Sequence, residues 1–248
     1  MSRKHWTFGF TLIELSIVIL VIGLIVGAVI SANNIIEEFR LKSFSNKAFM
    51  LRTHAINFKD QYQELPGEFT KAFEFWGTNC NVDADRCNGN GDGYVLTGYG
   101  GSTDNWTESV MFHRHLYLAG YTQFNPDILG EDTRCYTDIT VPAVNLSVAR
   151  GLPTHLTPFR VRYLLPYDEG HMNTLHLTAN ANGDGRCDVQ FRPLKPRELA
   201  NIDNKYDDGA PAGGIIRSTF QGGNSCFSST GYNIHRDQYR CDFKMILD

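Results

Sequence analysis

The sequence predicts an α+β protein in which a long N-terminal helix, membrane-spanning in its first part, packs on the antiparallel β-sheet of a globular head. Three observations predict it. From Phe10 to Ala32 the only ionisable side chain is Glu14, and 23 residues of helix at about 1.5 Å each cover a bilayer core of about 30 Å. From Leu41 to Leu65 apolar residues recur at spacings of three and four. Beyond Leu65 the pattern breaks into short strand-forming runs bounded by Pro and Gly, with six cysteines among them. The chain thus divides into a basic leader (1–9), an apolar helix (10–32), its amphipathic continuation (33–64) and a disulfide-bonded head (65–248).

The leader carries Arg3, Lys4 and His5, a positive end that stays cytoplasmic under the positive-inside rule. A secretory signal peptide would put its small-residue cleavage site after the apolar run. Here the candidate, Gly9, precedes it, so cleavage would leave the apolar helix on the mature chain with Phe10 as its new N-terminus. Glu14 is the anomaly of this segment. A carboxylate in hydrocarbon is costly unless it finds a partner, and the amine of Phe10 is the nearest obvious cation. The alternative is an interfacial Glu of an ordinary signal anchor, snorkelling to the headgroups. Gly23, Gly27 and Ser31, each four apart, form a small-residue face of the kind that lets apolar helices approach closely, although glycine is also simply common in such helices.

The continuation places Leu41, Phe44, Ala48, Leu51, Ala55, Phe58, Tyr62 and Leu65 on one stripe, sustained over more than three heptads. Lys42, Ser45, Asn46, Lys47, Arg52, Lys59 and Asp60 stand between them as a solvated face. Pro66-Gly67 stops the helix. A free coiled coil would show the same stripe, but the large head that follows needs a spine to pack on.

In the head, Asp104 or Thr107 caps a helix through Val110 and Leu118 to the Ala119-Gly120 stop. Phe159–Leu165, Leu175–Thr178, Ile215–Phe220 and Phe243–Leu247 read as strands. Pro196 opens a short helix that ends at Asp207-Asp208-Gly209. The six cysteines all lie beyond the apolar run, and an even number fits disulfides formed in an oxidising compartment. Closeness in sequence favours Cys80–Cys87 and Cys226–Cys241, which leaves Cys135–Cys187 by elimination. Zinc is the rival, but no CxxC pair or paired histidines at ligand spacing support it. The formal net charge is −4, moving to −6 without Arg3 and Lys4, and this acidic balance argues against broad nucleic-acid binding.

Two loops, Asn88-Gly89-Asn90-Gly91-Asp92-Gly93 and Asn180-Ala181-Asn182-Gly183-Asp184-Gly185, put oxygens at alternate positions before a glycine, like the opening of a calcium loop. The closing glutamate is missing from both. Asp83 and Asp85 are extra candidate ligands for the first and Asp188 for the second, while Asp203, Asp207 and Asp208 form a third acidic candidate. The competing reading is a set of Asx-Gly turns. Catalytic constellations are poor. His113 and His115 are two apart on a helix and point to different faces, and His171 and His176 have no nucleophile elbow, HExxH or phosphate loop beside them. No enzyme activity is expected and no cofactor is required, with calcium the one candidate ion.

Gly9-Phe10-Thr11-Leu12-Ile13-Glu14, between a basic leader and a long apolar run, resembles the N-terminus of the type IV prepilin family, which includes the pseudopilins of type II secretion. The resemblance continues in Tyr62-Gln63-Glu64-Leu65-Pro66-Gly67-Glu68, in Phe75-Trp76-Gly77, in Cys87–Gly93 and in Asn201–Gly209, blocks similar to those of large pilin-like proteins of Gram-negative bacteria. It implies the pilin fold and a prepilin peptidase that cuts after Gly9 and methylates Phe10. It also implies that Glu14 pairs with the amine of a neighbouring subunit, while Ser31 departs from the proline many pilins carry there. The implied location is the bacterial inner membrane, with the N-terminus cytoplasmic and the head periplasmic until an extracellular filament forms. The implied partners are other pilin or pseudopilin subunits and an inner-membrane assembly platform. The head's size leans toward a minor or tip subunit or a pseudopilin. The alternative reading is a tip pilin whose head is an adhesin or uptake module, and a membrane-anchored enzyme is a distant third.

Overall fold

A computed structural model describes residues 11–95, 108–123, 143–144, 157–163, 172–177, 194–218, 225–236 and 241–247. The chain forms two compact units, residues 1–40 and 41–248. Helix α1, Leu12–Tyr62, begins in the first and ends in the second. Its start is closed by Thr11. The Glu14 N–H donates to Thr11 Oγ1 at 3.3 Å, and Glu14 Oε2 accepts from the Thr11 N–H and hydroxyl, both at 2.8 Å. This reciprocal pair satisfies two helix-end donors at once. The helix stops at Gln63, which takes φ 64° and donates its N–H to Lys59 O at 2.8 Å.

In the first unit, Leu12–Val29 has a mean hydropathy of 2.8, and it is the one helix among the described residues long and apolar enough to cross a membrane. Its side chains are exposed all round.

The second unit is built on the stripe. Phe44, Ala48, Leu51, Ala55 and Phe58 are fully buried, at spacings that return to one face of a 3.6-residue helix. Lys42, Asn46, Lys59 and Asp60 are exposed, but Ser45, expected on the solvated face, is buried, its hydroxyl satisfied by donating to Leu41 O at 2.9 Å. Each large buried side chain contributes about 1.5–3 kcal/mol by leaving water. The stripe forms one apolar cluster with Leu175, Ile216, Phe243, Met245 and Leu247, and the Phe44 and Phe243 rings meet edge-on at 4.7 Å. Arg52 reaches out of the same helix to donate to Ile246 O at 2.7 Å. The stripe is therefore a core spine.

Among the described residues three further α-helices follow: α2 (Ala72–Trp76), α3 (Glu108–Leu118) and α4 (Pro196–Tyr206). The described residues form seven strands, in chain order β1 (Ala143–Val144), β2 (Thr157–Tyr163), β3 (Asn173–Leu177), β4 (Ile216–Arg217), β5 (Phe227–Ser228), β6 (Gly231–Tyr232) and β7 (Lys244–Ile246). Five make one sheet in the order β1-β2-β3-β7-β4, and β5-β6 make a separate hairpin. All described pairings are antiparallel. The C-terminal strand β7 is inserted between β3 and β4, so Met245 faces Leu175 on one side and Ile216 on the other. Of the expected strand Ile215–Phe220, Ile216 and Arg217 pair with β7, and Thr219 and Phe220 lie outside the described residues. Ser218 turns away, its N–H donating to Pro211 O at 2.8 Å and its hydroxyl to buried Asp242 at 2.6 Å.

Among the described residues two disulfides bind the head, Cys80–Cys87 with Cα atoms 5.6 Å apart and Cys226–Cys241 with Cα atoms 4.8 Å apart. Both separations suit an unforced bridge. Cys135 and Cys187 lie outside the described residues, as do the capping candidates Asp104 and Thr107.

Candidate functional site

Three regions collect the residues that the sequence singles out. The first is the N-terminal helix. Gly9 and Phe10 lie outside the described residues, while Glu14 caps α1 through Thr11 as described above. The Thr-x-x-Glu signature of that cap is present in the sequence, yet it is easily overlooked when Glu14 is considered only as a charge in hydrocarbon. Gly23 and Gly27 are exposed, and a Cβ at either would meet nothing within 4 Å.

The second region is the turn that follows α1. Leu65, Pro66, Gly67, Glu68 and Phe69 are all buried. Glu64 closes the turn, accepting from the Thr70 N–H at 2.6 Å and the Thr70 hydroxyl at 3.0 Å. His115 of α3 locks it from the other side. Its Nδ1 accepts from the Gly67 N–H at 2.9 Å, which places the ring proton on Nε2, 2.9 Å from the carbonyl oxygen of Cys87. Burial holds its pKa down to about 4, with Arg114 adding to the shift and the bond to Cys87 opposing it. The ring is therefore neutral and fully committed. It stacks at 6.1 Å on Phe58 and stands 5.6 Å from Trp76. His113 is buried as well, so the expectation that the two histidines diverge does not put either in solvent.

Cys80, Cys87 and His115 cluster within 4.8 Å, a donor set that in reduced form would suit zinc. Here both sulfurs are in the bridge and both ring nitrogens are engaged, so this trio is structural.

Glu68 stands out. It is 1% exposed, Oε2 accepts from the Gly93 N–H at 3.0 Å, and among the described residues no N–H reaches the buried Oε1. Its pKa is pushed up to about 8, first by burial and next by the Glu108 carboxyl, which hydrogen-bonds with it, with Asp92 adding a smaller push and the Gly93 N–H opposing. Nothing in the periodicity of the sequence marks Glu68 as buried.

The Asn88–Asp92 candidate ligands are tied to backbone N–H groups. Asn88 Oδ1 accepts from Phe73 at 2.8 Å, Asn90 Oδ1 from Asp92 at 2.7 Å and Asp92 Oδ1 from Tyr94 at 2.8 Å. Asp83 accepts from the Asp85 N–H at 3.1 Å and lies 3.7 Å from Arg86. Gly89 is required sterically, since a Cβ there would run into the backbone of Gly67 and Glu68. Asn180, Asn182, Asp184 and Asp188 lie outside the described residues, as does His171, and of His176 only the backbone pairing is described.

Asp203, Asp207 and Asp208 bring one carboxylate oxygen each within 4.8 Å of one another. Each also organises the loop after α4. Asp203 is fully buried and accepts from the Tyr232 hydroxyl at 2.6 Å and the Gly209 N–H at 3.1 Å. Asp207 Oδ2 accepts from Ile215 at 2.5 Å and Ile216 at 2.7 Å, and Asp208 from Ala210 at 2.8 Å. Burial raises the Asp203 pKa to about 6, the bonds from Tyr232 and Gly209 oppose it, and the charges of Asp207 and Asp208 add to it. The block joins α4, β4 and the β5-β6 hairpin.

Comparisons with family models, with curated proteins and with solved structures find no match to this chain.

Proposed function

We propose that this chain is a type IV pilin-like or pseudopilin subunit, processed after Gly9 and assembled into a filament through its N-terminal helix. The observation that carries the reading is the two-part helix α1. An all-round apolar segment with Glu14 in its first turn runs on into a segment whose buried face is the core spine of a disulfide-bonded, antiparallel-sheet head. The pilin family that the N-terminus resembles implies such an arrangement, and Gly9-Phe10 is the bond its prepilin peptidase would cut. In this reading the head faces the periplasm before assembly, and the Gly23–Gly27 face packs against other subunits. Nothing in the reading requires catalysis or a cofactor.

Glu14 has two roles to separate, capping its own helix and pairing with the amine of a neighbouring Phe10. Glu14→Gln keeps a carbonyl oxygen for the Thr11 N–H and removes the charge, whereas Glu14→Ala removes both. Sheared-filament preparations from a piliated host provide the test. Both variants should accumulate in the membrane at wild-type levels and be lost from the sheared fraction by about tenfold or more. Wild-type recovery of Glu14→Gln in filaments would refute the charge pairing.

A further inference from the structure

We propose that Asn90 is a self-modifying residue, which cyclises onto the backbone nitrogen of Gly91 with loss of ammonia and ends as aspartate or isoaspartate, whereas Asn88 in the same loop is protected. The sequence alone does not separate the two, since each precedes a glycine. Asn182-Gly183, a third such pair, lies outside the described residues. The nucleophile in this chemistry is the nitrogen of the following glycine, and it must be free. Gly89 donates its N–H to Phe69 O at 3.0 Å, and a Cβ on it would run into the backbone of Gly67 and Glu68. Asn88 is half-buried, its Oδ1 held by the Phe73 N–H at 2.8 Å. Asn90 and Gly91 are both exposed, and among the described residues no acceptor meets the Gly91 N–H.

The loop also supplies part of the chemistry. As the Gly91 nitrogen bonds to Asn90 Cγ, negative charge develops on Asn90 Oδ1. That oxygen already accepts from the Asp92 N–H at 2.7 Å, a donor placed as in an oxyanion hole. The leaving nitrogen, Nδ2, lies 3.1 Å from Asp92 Oδ2, and Asp92 is itself held through Oδ1 by the Tyr94 N–H at 2.8 Å. The Cγ–Nδ2 bond breaks, and ammonia departs with the proton that Gly91 gives up. Water then opens the succinimide at either carbonyl, leaving aspartate or, with the backbone rerouted through the side chain, isoaspartate. A bulkier, slower neighbour does not fit at 91. Gly91 takes φ 75°, and a Cβ there would come within 2.6 Å of Thr70 Cγ2, a conformation that glycine alone adopts without strain. The product replaces an amide that donates to Asp92 with a second carboxylate facing it. Like charges then push on the loop that brings the Gly93 N–H to buried Glu68, so the converted head is less stable than the fresh one. The reaction needs nothing from the N-terminal helix, and it stands or falls apart from the filament reading.

The test incubates the full chain in detergent micelles at mildly alkaline pH in heavy-oxygen water. Peptide mapping by mass spectrometry then counts the label taken up at residues 88 and 90. Asn90 should convert at least about tenfold faster than Asn88, whose glycine must first give up a hydrogen bond and its place in the turn. In urea with reductant the two should convert at similar rates. Asn90→Ser should abolish the faster conversion, and Asn90→Asp, which mimics one product, should lower the melting temperature of freshly made protein. Conversion of Asn88 as fast as Asn90 in the folded chain would overturn the proposal, as would an Asn90 that stays intact while the urea-treated chain reacts. An unchanged melting temperature in Asn90→Asp would overturn the effect on stability.

Discussion

The two halves of α1 contain apolar residues in abundance and use them in opposite ways. Between Leu12 and Val29 nearly every position is apolar and all are exposed. From Phe44 to Phe58 the apolar positions form one face, and Phe44, Ala48, Leu51, Ala55 and Phe58 are fully buried. Arrangement distinguishes the halves more than hydrophobicity does. A stripe names a partner within the chain, because a stripe opposite charged residues can be covered by one sheet. An all-round surface names a solvent, since no single partner in one chain can cover it.

The largest expected effect tests that contrast directly. Phe58→Ala should cost the head about 3–5 kcal/mol and Leu51→Ala about 2–5 kcal/mol, as large-to-small changes in a packed core do. Leu20→Ala, in the apolar half, should leave the head's melting transition unchanged when the full chain is unfolded in micelles. A comparable loss from Leu20→Ala would erase the distinction.

Reduction should come next. The Cys226–Cys241 bridge spans 15 residues and is worth about 3 kcal/mol in the chain-entropy model, with Cys80–Cys87, spanning seven, worth less. Both cysteine pairs are buried in the core cluster. Reductant should therefore lower the melting temperature by more than chelator does. A larger shift with chelator would place most of the head's restraint in bound cation.

Smaller and of known sign is the pH dependence in chelator. Burial lifts Asp203 from 3.8 to about 6 and Glu68 from 4.5 to about 8, so the folded state holds these protons more tightly than the unfolded one. The stability they contribute is complete below about pH 4 and is lost as pH rises through about 6 and then about 8. Melting curves should show that decline in two stages, with Asp203→Asn removing the lower and Glu68→Gln the upper. A rise in stability over the same range would contradict both placements.

These contrasts also mark what the sequence made legible. The stripe could be read because eight apolar residues keep helical spacing between charged ones. The stops at Gly120 and Gly209 were readable because both glycines take positive φ, as helix-terminating positions commonly require. Proximity was enough for the two short-range bridges. Burial of charge was not readable. Glu68 and Asp203 look like surface acids, and what hides them, Gly93 and Glu108 for one and Tyr232 for the other, is distant in sequence. The β5-β6 hairpin, with Ser229-Thr230 at its turn, lacks the Asn-Gly signal that announces such turns. Strand β4 stops at Arg217, where Ser218 gives its hydroxyl to the buried carboxylate of Asp242.

The smallest effect concerns the helix start. Thr11→Ala removes one half of the reciprocal cap, so amides at Leu12–Leu15 should exchange severalfold faster in micelles while the head is unaffected. Unchanged exchange would mean that the cap seen at Thr11 and Glu14 does not hold the end of α1.

The central claim is that the all-round apolar half is delivered to a filament by cleavage after Gly9. Intact-mass analysis of the chain extracted from membranes of a piliated host tests it most directly. Wild type should lack residues 1–9 and carry one methyl group on Phe10, whereas Gly9→Val should retain the leader because a β-branched side chain blocks the scissile bond. Wild-type protein that keeps its leader, or is cut beyond Ala32, would contradict the account.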